Sequence, residues 1–145
     1  MARRSPCIRV VGRLLAPISV IAILASDASA QAPSYLSQWG SFGSGTGEFS
    51  TPVGVAVDAA GNVYVAQRGQ KADPIIVFDA NGKYLRSWGK GMFGAAHGLR
   101  LDKNDNVFVT DITNHQVMKF TKEGKVLFTL GTKGVSGNDD KTFNR

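Results

Sequence analysis

Few side chains in this 145-residue sequence could do chemistry. The only histidines are His97 and His115, and the only cysteine is Cys7. A histidine at the start of a strand could supply one ligand to zinc, although a catalytic zinc takes ~3 protein ligands plus an open position. Alternatively, it could cap the strand by hydrogen bonding to a neighbouring loop. Arg68 sits in Ala66-Gln67-Arg68-Gly69, where a guanidinium could grip a substrate carboxylate through two parallel N–H bonds. A plain loop arginine is the other reading. Asp58 and Asp102 lie 44 residues apart and each precedes a tight turn, so they make a poor acid–base pair. Asp111 and His115 read as braces for a loop, the aspartate accepting backbone hydrogens as Asx residues do. No Ser-His-Asp order and no CxxC spacing is present. Gly43, Gly45 and Gly47 lack the strand-to-helix context that a phosphate-cradling loop requires.

The elements that must position these residues come from a repeat. Gly54-Val55-Ala56-Val57-Asp58 with Gly61-Asn62-Val63-Tyr64-Val65 returns as Gly98-Leu99-Arg100-Leu101-Asp102 with Asn106-Val107-Phe108-Val109. A self-similar unit of this length marks a propeller blade. Within the first copy, strands are expected at Val53–Val57, Val63–Val65, Ile75–Phe78 and Lys83–Trp88. In the second they are expected at Leu99–Leu101, Val107–Thr110, Gln116–Phe120 and Val126–Leu130; β-branched and aromatic runs between turn residues are the signal. Four short strands per unit make one blade, so the fold class is all-β, with β-propeller blades at about 39–87 and 88–130. A third unit opens at Leu130-Gly131 and is truncated. Trp39 and Trp88 read as packing residues between blades.

The first copy abandons the repeat pattern after its second strand. Aligning Val63-Tyr64-Val65 with Val107-Phe108-Val109 sets Gln67 on Asp111 and Arg68 on Ile112, and the first copy takes two extra residues before its third strand. A site grafted on a repeat would look like this.

Residues 1–30 form a separate segment: Arg3, Arg4, Arg9 and Arg13, then an apolar run from Leu14 to Ala25, then Ala28-Ser29-Ala30. This is the pattern of a cleaved secretory signal, and the run is short of the ~20 residues a spanning helix needs. Residues 31–145 are then expected to be secreted or periplasmic, with no membrane association after signal removal. Removal takes four of the 17 basic and one of the 11 acidic residues. The remaining lysines, such as Lys83, Lys103, Lys122 and Lys125, are scattered on turns, which does not support nucleic-acid binding. With Cys7 in the leader, the mature part has no disulfide or thiol chemistry.

A closed propeller takes ~4 to 8 blades. Two blades and a stub are therefore expected to be a piece of a longer protein, inactive alone; closure with another chain is the alternative.

The run Asp111-Ile112-Thr113-Asn114-His115-Gln116-Val117-Met118-Lys119-Phe120 carries the Asn-His-Gln form of the signature that names NHL repeats, whose proteins are propellers, often six-bladed. The second blade, from Ala96-His97-Gly98-Leu99 through Val107-Phe108-Val109-Thr110-Asp111, resembles the corresponding blade of peptidylamidoglycolate lyases. Those enzymes cleave peptidyl-α-hydroxyglycine into an amidated peptide and glyoxylate. The resemblance implies that His97 is the first of three zinc-ligand histidines and Arg68 an active-site arginine. It implies too that the backbone carbonyls of Val55 and Leu99 bind a structural calcium. Zinc would polarise the substrate hydroxyl. The other two histidines, a catalytic tyrosine, a second arginine and a calcium-ligating aspartate have no counterpart in this sequence. A non-catalytic NHL propeller binding a peptide, protein or glycan is the alternative function.

Overall fold

The computed structural model describes residues 32–69 and 71–143, so the expected signal at 1–30 lies outside the described residues. The chain divides into Met1–Leu36 and Ser37–Arg145. Of the first unit, residues 32–36 are described and carry no helix or strand. Among the described residues, no helix is long and apolar enough to cross a membrane.

Among the described residues the second unit holds eight strands: β1 (Thr51–Val57), β2 (Val63–Arg68), β3 (Ile75–Phe78), β4 (Tyr84–Trp88), β5 (Ala96–Leu101), β6 (Val107–Asp111), β7 (Gln116–Phe120) and β8 (Val126–Leu130). They form two antiparallel sheets in sequential order, β1-β2-β3-β4 and β5-β6-β7-β8, which is the up-and-down form of a propeller blade. The expected all-β fold class is therefore observed, and four strands per repeat follow the hydrophobic pattern.

Each first strand starts earlier than its alternating residues suggest, at Thr51 and Ala96. The cause is a β-bulge in each, between Pro52 and Gly54 and between Ala96 and Gly98. A bulge inserts one unpaired residue and breaks the inside–outside alternation. Val53 and His97 are those residues, at matching places in the two copies.

The tight turns rest on carboxylates. Asp58 Oδ1 accepts the amides of Ala60 at 3.0 Å and Asn62 at 2.8 Å, and Asp102 Oδ1 accepts those of Asn104 and Asn106, both at 2.9 Å. Gly61 meets the left-handed backbone of the first turn with φ 86°, and Asp105 stands in its place in the second with φ 60°. Asp105 Oδ1 then accepts the Ala59 amide at 3.1 Å, tying the turns of the two blades together.

Successive side chains on β2 and β3 point to opposite faces. Tyr64, Ala66, Ile75 and Val77 face the second blade and pack with Ala96, Leu99, Val107, Val109 and Phe120. On the other face, Val65, Ile76 and Phe78 pack with Phe49, Val63 and Tyr84. This two-sided burial is why β3 is buried at all four positions, whereas β8 is exposed throughout. Gly54 lets β1 approach β5: a Cβ there would stand 3.2 Å from the Leu99 Cβ. Trp88 packs 4.9 Å from Phe120 in the cluster between the two blades, while Trp39 packs 6.3 Å from Phe78 in the equivalent place on the other face of the first blade.

Candidate functional site

The loop after β2 and the connector after β4 lie on the rim opposite the carboxylate-held turns. Between them is a cleft of about 410 Å³. Its polar lining comes from Gln67, Arg68 and Lys90, and its apolar walls from Ala72, Pro74, Phe93 and Ala96.

Gln67 is fully buried and acts as a strut. Its Oε1 accepts the Ser50 amide at 2.8 Å and its Nε2 donates to the Asp73 carbonyl at 3.0 Å. This fixes the end of β2 and aims the next residue, Arg68, toward the second blade. Arg68 Nε donates to the Ala96 carbonyl at 2.8 Å. Its two terminal Nη atoms make no hydrogen bond among the described residues, and they are the pair that would engage a carboxylate.

His97 follows Ala96 directly and occupies the bulge of β5, exposed. Its ring makes no hydrogen bond among the described residues, so the strand-capping alternative finds no support; the contact to the strand's start comes from Arg68 instead. The structure thus brings Arg68 to the residue adjoining His97, from two different blades. Among the described residues, no three His, Cys, Asp or Glu side chains are grouped to hold a metal. His97 fits as one imidazole ligand and no more.

Val55 and Leu99 lie on adjacent first strands, β1 and β5, joined by the close approach of Gly54 to Leu99. Leu99 buries its side chain between the blades, which leaves only its main chain for any ligand.

The corresponding cleft of the second blade is lined by Asp111, Ile112, His115, Gln116 and Phe143. Asp111 Oδ2 accepts the Gly94 amide at 2.7 Å, and its Oδ1 accepts those of Ala95, Thr113 and Asn114 at 3.0 to 3.1 Å. Asn114 Nδ2 adds a bond of 2.7 Å to Oδ2. Burial alone would raise the Asp111 pKa, but the hydrogen bonds from Ala95, Asn114 and Gly94 outweigh it and hold the carboxyl below its ordinary value. Asp111 is thus the loop brace its position suggests. His115 is not a brace through its ring, which makes no hydrogen bond among the described residues. It contributes a left-handed backbone with φ 53°, a conformation in which histidine is enriched.

Lys90 was missed by reasoning from motifs. Its signal lies in the connectors: Trp39-Gly40-Ser41, Trp88-Gly89-Lys90 and Leu130-Gly131-Thr132 are parallel, and only the middle one carries a cation.

No family model matches the chain. It is 43% identical over 65 residues to peptidyl-α-hydroxyglycine α-amidating lyase 1 of Drosophila melanogaster, covering 43% of this chain and 12% of that protein. It is 37% identical over 70 residues to a probable lyase of the same name from Caenorhabditis elegans, covering 48% of this chain and 20% of the relative. NHL repeat-containing protein 3 of Mus musculus is 35% identical over 91 residues, covering 57% of this chain and 26% of that protein. The chain thus spans a fifth or less of the length of the two lyases it matches. Its two sheets are β-propeller blades of NHL type, similar in sequence to those of peptidyl-α-hydroxyglycine α-amidating lyases.

Proposed function

We propose that these blades belong to a secreted lyase that cleaves peptidyl-α-hydroxyglycine to a peptide amide and glyoxylate. The observation that carries this reading is the bond from Arg68 Nε to the Ala96 carbonyl, which sets a free guanidinium fork beside the exposed His97. Arg68 binds the terminal carboxylate of the peptide in the interblade cleft and orients it. His97 would be one ligand of a zinc that would polarise the substrate hydroxyl, and the remaining ligands would come from outside these two blades. The backbone carbonyls of Val55 and Leu99, on the first strands β1 and β5, would be ligands of a structural calcium, which would tie the blades together. The tyrosine base and the further zinc ligands that the resemblance implies have no counterpart in this sequence, so the two blades are expected to be inactive alone.

The test is glyoxylate release from a closed propeller that contains these two blades. Arg68→Ala is expected to lower turnover by about 10- to 100-fold, as loss of a charged hydrogen-bonding group does, and His97→Ala by at least as much, since a catalytic zinc with ~3 protein ligands would lose one of them. Undiminished turnover in both variants overturns the assignment. A second reading, a propeller that binds a peptide, protein or glycan on this rim without chemistry, is favoured by the likeness to NHL repeat-containing protein 3. It requires that His97→Ala leave binding intact and that no glyoxylate form.

A further inference from the structure

We infer that Lys90 is the second cation of the Arg68 cleft and selects peptides with an acidic residue next to the terminal carboxylate. This rests on the reading of Arg68 as a carboxylate anchor. Three observations converge on it.

First, both cations are departures from the repeat. Arg68 stands where the second blade has Ile112, and Lys90 stands where the flanking connectors have Ser41 and Thr132. The two changes lie 22 positions apart in sequence yet line one cleft. Second, no carboxylate lines that cleft among the described residues. The equivalent of Asp111 is Gln67, a neutral amide that performs the same bracing of the preceding connector, since Ser50 and Gly94 occupy matching places. A carboxylate at position 67 would compete for the guanidinium; the amide leaves it for a ligand. Third, Lys90 is exposed and makes no hydrogen bond or ion pair among the described residues. Gly91 beside it faces open space, with no atom within 4 Å of an added Cβ, so the flank of the cleft is low enough for a side chain to pass. Two like charges held in one cleft favour an anionic occupant with two separated negative groups, and the apolar walls accommodate the aliphatic part between them.

The test uses four peptides: Ala-Ala-Glu-Gly and Ala-Ala-Gln-Gly, each as the free acid and as the C-terminal amide. Dissociation constants for a closed propeller that contains these two blades are measured by titration at low and high salt. The free acids are expected to bind more tightly than the amides, and the glutamate peptide about 3-fold more tightly than the glutamine peptide at low salt, a margin that shrinks as salt screens an exposed pair. Lys90→Gln is expected to erase the glutamate preference and Lys90→Arg to keep it. Lys103→Gln, on the opposite rim, leaves both preferences unchanged. A free-acid preference without a glutamate preference, or a glutamate preference that survives Lys90→Gln, overturns the role of Lys90 alone. Equal binding of acids and amides, or no binding, overturns the Arg68 reading and the inference with it.

Discussion

The loops that follow β2 and β6 stand at the same place in two copies of one blade and solve the same problem with different chemistry. Each must hold the connector that enters its blade. The second copy uses the Asp111 carboxylate, which accepts five N–H bonds from Gly94, Ala95, Thr113 and Asn114. The first uses the Gln67 amide, with one bond to Ser50 and one to Asp73. The carboxylate version closes on itself, with His115 in a left-handed turn and Ile112 beside it. The amide version is neutral, sheds the tight turn, and leaves room for Arg68 to reach across to the next blade. Weaker internal bracing is what opens the cleft.

Removing each brace gives the largest expected effect. Asp111→Ala leaves several buried amides without an acceptor and should cost about 3 kcal/mol, whereas Gln67→Ala removes two bonds and should cost about 1 to 2 kcal/mol. Denaturant unfolding of both variants measures the gap. Equal losses would break the claim that the second loop is the more tightly held.

A smaller contrast concerns the tryptophans. Gly82 and Gly124 end matching turns with φ 80° and φ 92°, and an added Cβ would come within 2.9 Å of Trp39 and 2.7 Å of Trp88. Both alanine variants carry a left-handed backbone penalty of about 1 kcal/mol. Trp88 is packed in the interblade core against Phe120, while Trp39 is 42% exposed and can yield. Gly124→Ala should therefore cost about 2 kcal/mol and Gly82→Ala nearer 1 kcal/mol. Thermal melts of the two proteins sharpen which blade face is rigid.

Much of this comparison was legible in the residues themselves. The repeat of Gly-Val-Ala-Val-Asp as Gly-Leu-Arg-Leu-Asp placed all eight strands, because strand alternation and turn residues are local signals. The bulges at Val53 and His97 were not legible, since one unpaired residue looks like an ordinary break in alternation. Arg68 stood out as a departure from its copy, but its contact with Ala96 spans 28 residues and needed the fold. Lys90 departs from the parallel connectors in sequence, but that it lines the same cleft as Arg68 needed the fold. For His115 the naming signature does not say whether the ring or the backbone conformation serves the loop, and the structure shows the left-handed backbone.

Acid separates the two loops by chemistry alone. Asp111 is held below its ordinary pKa, burial opposing and the hydrogen bonds from Ala95, Asn114 and Gly94 prevailing. A carboxyl depressed in the folded state contributes stability that is present above its unfolded pKa and lost as pH falls below about 4. Gln67 does not titrate. Amide exchange, corrected for intrinsic rates, should show Gly94, Ala95, Thr113 and Asn114 losing protection toward pH 3 while Ser50 keeps its own. Loss at all five together would mean that the blades open as one unit, and the comparison between loops would not govern acid behaviour.

The smallest expected effect is at the blade faces that carry Arg86 and Lys119. In the first blade, Arg86 Nη2 donates to the Tyr64 hydroxyl at 3.0 Å and to the Lys122 carbonyl at 2.9 Å, and Tyr64 in turn lies 3.4 Å from Asp58. In the second, Phe108 replaces the tyrosine, Phe128 replaces the arginine, and the cation moves to Lys119 at the place of Val77. Lys119 pairs with Asp102 at 2.9 Å and sits 4.9 Å from the Phe108 ring centre. The aspartate keeps its position in both copies, as Asp58 and Asp102, while the cation beside it moves to the neighbouring strand. Because the pair is partly exposed, Lys119→Val should cost under about 1 kcal/mol. High salt should shrink even that, since screening weakens the ion pair in the parent chain and leaves the variant unaffected. A cost as large as that of Asp111→Ala would show that Lys119 holds its face as firmly as Asp111 holds its loop. The rim cleft would then not be the only place where the two copies have diverged in what holds them.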